Sequence, residues 1–156
     1  MLKFSIPFRE NYDIEELVFD YNGTLATDGK MAEAVYRRLV ALARELRVTV
    51  ITADTYGTVK KELENTGIEV RIISRERGTL EKKEYVESLG RQKVIAFGNG
   101  ANDALMLEAA AIGVVVMNPE GVSLEAMAKG DLMVASITDA LDLIDRPGRL
   151  VAGLRR

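Results

Sequence analysis

The chain has 156 residues, a length typical of one domain, and a formal net charge of −3. It contains no cysteine and no histidine, so disulfides, thiolate metal sites and Ser-His-Asp catalysis are excluded. Any chemistry must therefore use carboxylates, lysines, hydroxyls, backbone amides or a hard metal ion, and the mildly acidic charge argues against a nucleic-acid partner.

Apolar residues recur along the chain with the periods of strands and helices in alternation. We expect a short edge strand over residues 2–8 and a first central strand over residues 17–21. The later strands are predicted over residues 48–53, 68–74, 93–97, 112–117 and 132–135. The helices are predicted over residues 31–46, 55–65, 79–89, 102–111, 122–129 and 138–144. The basic tail, residues 146–156, is expected to fray.

This alternation indicates right-handed crossovers and a parallel sheet that carries helices on both faces. We therefore predict an α/β fold, a three-layer Rossmann-like doubly wound parallel sheet formed by residues 1–156 as a single domain. Ligands of such sheets bind outside the carboxyl ends of the strands. Polar residues at the predicted strand ends are therefore the candidates for a functional site.

Polar or glycine-rich segments stand at four such places. They are Asp20-Tyr21-Asn22-Gly23-Thr24, Thr52-Ala53, Lys82 near the start of the third helix, and Gly98-Asn99-Gly100-Ala101-Asn102-Asp103. Each segment alone has a common structural explanation, namely a turn, a strand-end hydroxyl, a solvated lysine or a helix N-cap. The ordered combination, at the ends of strands in one sheet, favours a functional site instead.

The combination resembles the haloacid dehalogenase-like superfamily of phosphohydrolases, in the branch closest to the phosphorylation domain of P-type ATPases. Residues 20–25 are similar to the family's Asp-x-Asp/Thr-Gly-Thr-Leu. Lys82 and residues 98–103 are similar to its Lys…Gly-Asp-Gly-x-Asn-Asp. The resemblance covers residues 17–117 and implies Mg²⁺ as cofactor and a phosphorylated small molecule or macromolecule as substrate.

The resemblance also implies a role for each residue in the motifs. The catalytic set would be Asp20, which forms an aspartyl-phosphate, with Asn22, Thr52 and Lys82. Phosphate would be bound by Asn22, Gly23, Thr24, Thr52, Ala53, Lys82 and Asn102, and Mg²⁺ by Asp20, Asn22, Asn99 and Asp103. These assignments suit phosphoryl transfer, which depends on positioning and on neutralising charge on the phosphate oxygens. Backbone amides of the 22–24 loop would contribute as a nest, and Asn102 could orient Lys82.

Two acidic positions of the family are amides in this chain, Asn22 and Asn99. An amide cannot shuttle a proton, so a first hypothesis is a phosphohydrolase that is slow or restricted to activated phosphates. A second is a non-hydrolytic module that binds phosphate or Mg²⁺, or accepts a phosphoryl group. A third is that both Asn-Gly pairs deamidate, which would partly restore the acidic pattern.

The two places where the family inserts cap domains are short here, residues 22–30 and 75–78. We therefore expect a capless protein with an open site, whose specificity depends on a partner subunit or a large substrate. We therefore expect the protein either to form a homo-oligomer or to act on a phosphorylated macromolecule. No apolar run approaches the ~20 residues needed to cross a bilayer, so no membrane association and a cytoplasmic location are expected.

Overall fold

The computed structural model describes residues 1–54 and 57–156. Its strands are β1 (Leu2–Ser5), β2 (Asn11–Ile14), β3 (Glu16–Asp20), β4 (Ala26–Thr27), β5 (Lys30–Met31), β6 (Arg47–Thr52), β7 (Glu69–Ile72), β8 (Val94–Gly98), β9 (Ile112–Val116) and β10 (Leu132–Val134). Its α-helices are α1 (Glu33–Leu42), α2 (Thr58–Glu62), α3 (Gly78–Ser88), α4 (Ala104–Ala109), α5 (Leu124–Lys129), α6 (Ile137–Asp145) and α7 (Gly148–Leu154). Short 3-10 helices cover Arg91–Lys93 and Ala101–Asp103.

Six strands form one parallel sheet in the order β10-β9-β8-β3-β6-β7. The chain winds outward from β3 through β6 to β7 and then returns to the other side of β3 at β8. Asp20 is in register with Ile51 of β6, and Phe19 with Phe97 of β8. The reversal makes the boundary between β3 and β8 the topological switch point, where ligands of open α/β sheets bind. The predicted doubly wound α/β fold is confirmed.

Helices cover both faces of this sheet because the central strands are apolar on both sides. Leu17 and Phe19 of β3 lie in the core that also contains buried residues of α1, α6 and α7. Val18 of the same strand faces a second core, formed with residues of α3, α4 and α5. The Phe19 and Phe97 rings stack with centroids 4.3 Å apart. This packing fixes the spacing of β3 and β8 just below their carboxyl ends.

The N-terminal segment departs from the prediction. Residues 2–8 do not form an edge of the main sheet; β1 instead pairs antiparallel with β2, a strand that was not predicted. Phe4 stacks on Tyr12, and Tyr12 and Ile14 are buried in the core. In β2 the exposed residues Asn11 and Asp13 alternate with buried apolar residues. The alternation was missed because it extends over only four residues.

No cap domain is present in the described connections after β3 and after β7, the two places where the family inserts one. Between β3 and α1 the chain forms only the small hairpin β4–β5, whose turn residues Asp28 and Gly29 both have positive φ angles. Between β7 and α3 lie residues 73–77 alone. The expectation of a capless chain is therefore confirmed, although the helix predicted over residues 31–46 is shorter, since it begins at Glu33 and ends at Leu42.

The C-terminal tail was predicted wrongly, because residues 148–154 form α7 rather than fraying. Leu150 is fully buried and Leu154 nearly so, both within the main core. Arg149 donates to Asp142 of α6 at 2.9 Å. The other predicted helices exist with shifted ends, and the start of the one over residues 55–65 lies outside the described residues. Among the described helices, none is long and apolar enough to span a membrane.

We expect Leu150→Ala to lower the free energy of unfolding by about 2–5 kcal/mol, because it removes a fully buried side chain from the core. Urea unfolding followed by far-UV circular dichroism measures the change. Arg155→Ala, at an exposed position just beyond α7, is the matched control and should change the free energy of unfolding little. Equal stabilities of Leu150→Ala and the wild type would show that α7 is not docked.

Candidate active site

A cleft of about 410 Å³ opens at the carboxyl ends of β3, β6 and β8. It is lined by Asp20, Asn22, Gly23, Thr52, Ala53, Ile73, Ser74, Arg75, Gly78, Thr79, Lys82, Asn99, Gly100, Asn102 and Glu120. The residues predicted from all four sequence segments are therefore brought together. Thr24 and Asp103 are the exceptions, since both are fully buried and lie beneath the cleft rather than in its lining.

A buried lysine joins two buried carboxylates at the floor of the cleft. Lys82 Nζ donates to Asp20 Oδ1 at 2.7 Å and to Asp103 Oδ1 at 2.6 Å. Only 1% of the Lys82 side chain is exposed. The lysine comes from α3, and the carboxylates come from the end of β3 and from the 3-10 helix that follows β8, so this cluster joins three elements. One cation faces two carboxylates, which leaves one negative charge when all three groups are ionised.

The protonation of the cluster follows from its burial. Burial and repulsion by Asp103 raise the pKa of Asp20 to about 7, although Lys82 and Thr24 oppose the shift. Burial alone would lower the pKa of Lys82, but the attraction of the two carboxylates raises it. The lysine therefore stays charged, and Asp20 takes up a proton near neutral pH when no cation other than Lys82 is beside it.

Asp103 organises the turn after β8. Its second oxygen, Oδ2, accepts the backbone amides of Asn99 at 3.0 Å and Gly100 at 2.9 Å. A Cβ at Gly98 would lie only 2.6 Å from the Asp103 Cβ, so the close approach requires glycine there. Both Asp103 oxygens thus accept N–H donors inside the protein. Asp103 therefore positions both Lys82 and the turn after β8, and its role as a metal ligand stays a prediction.

The side chain of Asn99 is fitted to its surroundings as an amide. Asn99 Nδ2 donates to the Gly121 carbonyl at 3.0 Å, and Asn99 Oδ1 accepts from the Thr24 hydroxyl at 3.2 Å. Gly23 has a φ of 79°, and a Cβ there would lie 2.5 Å from Asn99 Nδ2. A carboxylate at position 99 would face the Gly121 carbonyl oxygen without a donor between them. The surroundings therefore disfavour deamidation at Asn99, and deamidation at Asn22 stays a prediction.

The loop after Asp20 uses its amides differently from the predicted phosphate nest. The Gly23 amide donates to the Ala26 carbonyl at 2.9 Å, and the Thr24 amide to the Tyr21 carbonyl at 3.3 Å. The turn itself uses these two amides, which argues against a phosphate nest formed by them, and a role of Gly23 and Thr24 in phosphate binding stays a prediction. Thr24 contributes through its hydroxyl instead, which lies 3.2 Å from Asp20 Oδ2.

Thr52 and Asn102 both line the cleft, with different surroundings. The Thr52 hydroxyl accepts the Asp54 amide at 3.2 Å, so its own proton remains available for an acceptor in the cleft. Asn102 lies against Gly100, and within the described residues no hydrogen bond joins it to Lys82. Lys82 is instead oriented by the carboxylates of Asp20 and Asp103.

A second polar contact fixes α3 on β3 below the cleft. The Glu16 carboxylate, at the start of β3, accepts the Thr49 hydroxyl at 2.7 Å and the Tyr85 hydroxyl at 3.1 Å. Tyr85 lies one helical turn after Lys82 on α3. The helix is therefore tied to β3 at both ends of the strand, which limits how Lys82 can move relative to Asp20. Sequence reasoning missed this group because its members lie at the opposite end of the strands from the motifs.

Several cleft residues were also missed, notably Ser74, Arg75, Thr79 and Glu120. Ser74 ends the predicted third strand and Arg75 follows it, so the strand-end rule could have found both, and Thr79 begins the next predicted helix. Glu120 reaches the rim from the β9–α5 connection, where its carboxylate accepts the Asp28 amide at 3.3 Å. This contact between distant loops has no local sequence signal.

The sequence of the chain is similar to those of several known proteins. A family model described as haloacid dehalogenase-like hydrolase matches residues 79–129. An uncharacterized protein of Methanocaldococcus jannaschii is 42% identical over 64 residues, which are 41% of this chain and 69% of that protein. The soluble P-type ATPase-like phosphatase of the same organism is 28% identical over 124 residues, 77% of this chain. The chain covers only 45% of that phosphatase.

Solved structures share the fold. A 3-deoxy-D-manno-octulosonate 8-phosphate phosphatase from Moraxella catarrhalis, in complex with magnesium, phosphate and a KDO molecule, superposes with a TM-score of 0.65 at 17% identity, over 91% of this chain and 94% of that one. The cobalt-bound Haemophilus influenzae phosphatase of the same type gives 0.68 at 12% identity, over 85% of this chain and 87% of that one. At these identities the likeness shows the architecture alone.

The raised pKa of Asp20 makes stability depend on pH. The folded protein holds this proton more tightly than the unfolded chain. Protonation of Asp20 therefore stabilises the folded protein. This contribution to the free energy of unfolding is fully present below pH 3.8, the ordinary pKa of an aspartate, and is lost as the pH rises toward 7. We expect the free energy of unfolding of metal-free Asp20→Asn to exceed that of the wild type by on the order of 2 kcal/mol at pH 8. The difference should be smaller at pH 5.

Urea unfolding in the presence of a chelator measures the difference at the two pH values. Asp13→Asn, which removes an exposed carboxylate from β2, is the control and should show no such pH dependence. An Asp20→Asn variant less stable than the wild type at pH 8 would contradict the expected electrostatics of the cluster.

Proposed function

Because the chain belongs to the haloacid dehalogenase-like hydrolase superfamily, we propose that it is a Mg²⁺-dependent phosphohydrolase in which Asp20 forms an aspartyl-phosphate. Family membership supports a phosphatase type of hydrolase in general. The observation that carries the specific proposal is the contact of Lys82 with Asp20 at the floor of the cleft, 2.7 Å. A buried carboxylate beside a lysine, at a strand end in an open cleft, is suited to attack phosphorus.

In this proposal Asp20 supplies the attacking oxygen. A bond forms between a carboxylate oxygen of Asp20 and phosphorus, and the bond from phosphorus to the leaving oxygen breaks. Water then attacks the acyl phosphate, which releases phosphate and regenerates the carboxylate. Lys82 reduces the repulsion between the Asp20 carboxylate and the phosphate. The Thr52 hydroxyl, whose oxygen already accepts the Asp54 amide, donates a hydrogen bond to a phosphate oxygen.

Asn22 and Ala53 complete the proposed phosphate site. Both line the cleft, and the Asn22 amide takes no part in the turn hydrogen bonds of Gly23 and Thr24. Asn102, at the opposite wall, offers a side-chain amide donor. These groups surround the phosphate with neutral donors, which stabilise charge on its oxygens without adding a further repulsive carboxylate.

The cleft suits a Mg²⁺ ion that is coordinated by both protein and phosphate oxygens. Asp20, Asn22 and Asn99 all line the cleft and carry oxygens, the ligand type that Mg²⁺ prefers. Within the described residues, however, no three acidic or histidine side chains form a group that could hold a metal. Mg²⁺ is therefore expected to bind weakly until substrate oxygens complete its coordination. When bound, the ion neutralises charge on the phosphate.

The amide at position 22 limits the proposed reaction. Asn22 can donate a hydrogen bond but cannot protonate a leaving group or deprotonate water, and loss of acid–base catalysis typically lowers rates 10²–10⁴-fold. We infer that turnover is slow or confined to acyl phosphates and anhydrides, whose leaving groups need little protonation.

The same amides favour one alternative function. If water cannot be activated, Asp20 would remain phosphorylated or the site would only bind phosphate and Mg²⁺, and the protein would act as a regulatory module. Labelling with ³²P-acetyl phosphate separates the two functions. Stable label that disappears in Asp20→Asn, without phosphate release, supports the alternative. Release that follows labelling supports the hydrolase.

The substrate class follows from the open cleft. The two described connections that could hold a cap domain are short, so a phosphorylated macromolecule or an extended phosphorylated small molecule can enter. A cytoplasmic location and assembly into a homo-oligomer remain parts of this proposal.

Asp20→Asn is expected to abolish Mg²⁺-dependent phosphate release, because an amide nitrogen or oxygen is a far weaker nucleophile than a carboxylate. Phosphate release is measured with acetyl phosphate, ATP and p-nitrophenyl phosphate, each with and without Mg²⁺. Asp13→Asn, which changes an exposed carboxylate far from the cleft, should keep wild-type rates. Turnover that survives Asp20→Asn would rule out the proposed site.

Asn22→Asp is expected to raise kcat for p-nitrophenyl phosphate by about 10²-fold, because it supplies the missing acid and base. The effect on acetyl phosphate should be smaller, since that leaving group needs little protonation. Asn11→Asp, a similar change at an exposed position of β2, is the control. An Asn22→Asp variant with unchanged rates on both substrates would show that proton transfer does not limit this site.

A further inference from the structure

Strand β7 ends the six-stranded sheet, and the residues that the structure describes leave its outer side unpaired. Three of its four residues, Glu69, Arg71 and Ile72, are exposed. Open clefts flank it on both faces of the sheet, about 430 Å³ on the α2 side and about 450 Å³ on the α3 side. The strand is short and carries two charges, which protect an edge, but Glu69 and Arg71 have opposite signs and can therefore pair across a twofold axis.

The direction of the backbone groups of β7 is set by its pairing with β6. Ile73, the residue after β7, donates its amide inward to the Thr52 carbonyl at 3.0 Å. Successive residues of a strand direct their amide and carbonyl groups to opposite sides, so Glu69 and Arg71 also pair inward. Val70 and Ile72 therefore direct their backbone groups outward, where a further strand could accept them.

We propose that β7 pairs antiparallel with β7 of a second copy of this chain, about a twofold axis beside Val70. This register places Val70 opposite the second copy's Val70 as a hydrogen-bonded pair. It places Glu69 opposite Arg71 twice, once on each side of the axis. It also places Ile68 opposite the exposed Ile72 on the other face, so charges meet opposite charges and apolar residues meet apolar ones.

Neighbouring registers lack this complementarity. A shift that centres the axis on Arg71 places two arginines opposite each other, and one centred on Glu69 does the same with two glutamates. Registers that pair even-numbered with odd-numbered residues set inward-directed amides against outward-directed ones, which leaves no hydrogen bonds. The charge pattern thus favours the pairing centred on Val70 over its two neighbours.

The other edge of the sheet does not offer the same surface. Strand β10 has three residues, Leu132–Val134, without a charge among them. α7 packs beside it, with a Cβ position on Gly153 only 3.0 Å from the Leu132 side chain. On β7, in contrast, Arg71 lies over the Tyr85 ring at 5.0 Å, which holds its guanidinium on the α3 side near the place where the second copy's Glu69 would lie.

A single-cysteine variant tests the pairing directly, because the chain has no cysteine of its own. In the proposed register two Val70→Cys residues lie opposite each other with Cα atoms ~5.5 Å apart, a separation that a disulfide spans. We expect rapid formation of a covalent dimer under mild oxidation, read on a non-reducing gel. Met133→Cys, at the other sheet edge, controls for random collision and should remain monomeric.

The charge pattern tests the register independently. Sedimentation equilibrium of the wild type should show a reversible dimer. Glu69→Arg should raise its dissociation constant about tenfold, because arginines then face arginines. The double variant Glu69→Arg/Arg71→Glu should return the constant toward the wild-type value, since the same pairs form with reversed polarity. Circular dichroism shows whether each variant is folded.

The inference is overturned if the wild type stays monomeric at its highest soluble concentration. It is also overturned if Val70→Cys cross-links no faster than Met133→Cys, or if the double charge reversal fails to restore association of a folded protein. These readouts do not involve catalysis, so the pairing stands or falls separately from the proposed phosphatase reaction.

Discussion

The ion cluster of Lys82 with Asp20 and Asp103 is the interaction on which the rest of the site depends. A buried charge is tolerated only when it is paired and hydrogen-bonded, and here one lysine pairs two carboxylates at 2.7 and 2.6 Å. The pairing requires α3, β3 and the turn after β8 to meet at one point. It also leaves one uncompensated negative charge under the cleft, which a metal cation would neutralise and an unaccompanied phosphate would oppose.

Topology brings those three elements together. The chain returns to β8 beside β3 after β7, so the carboxyl ends of two distant segments become neighbours. Glycines then allow the loops to touch: Gly23 lies against the Asn99 amide, and Gly98 against Asp103. The Asn99 amide links both loops to the Gly121 carbonyl. The amide that replaces a family carboxylate is therefore part of the loop structure and is not simply a lost ligand.

The proposed dimer has a consequence for access to the cleft. In an antiparallel pair the carboxyl ends of the two sheets point in opposite directions, so the two clefts open at opposite edges of a continuous sheet. The proposed register continues past β7 to place residue 66 of the second copy opposite Ser74, a residue of the cleft lining, so the second copy would border each cleft.

The sequence by itself determined the α/β class, the order of the central strands and helices and the candidate residues, because apolar periodicity and strand-end motifs are local features. Only the tertiary structure decided which partner each polar atom has. It assigned the Gly23 and Thr24 amides to their own turn, turned Asp103 toward Lys82 and the turn amides, and docked α7 through Leu150. Such outcomes depend on contacts between residues far apart in the chain, which no local pattern records.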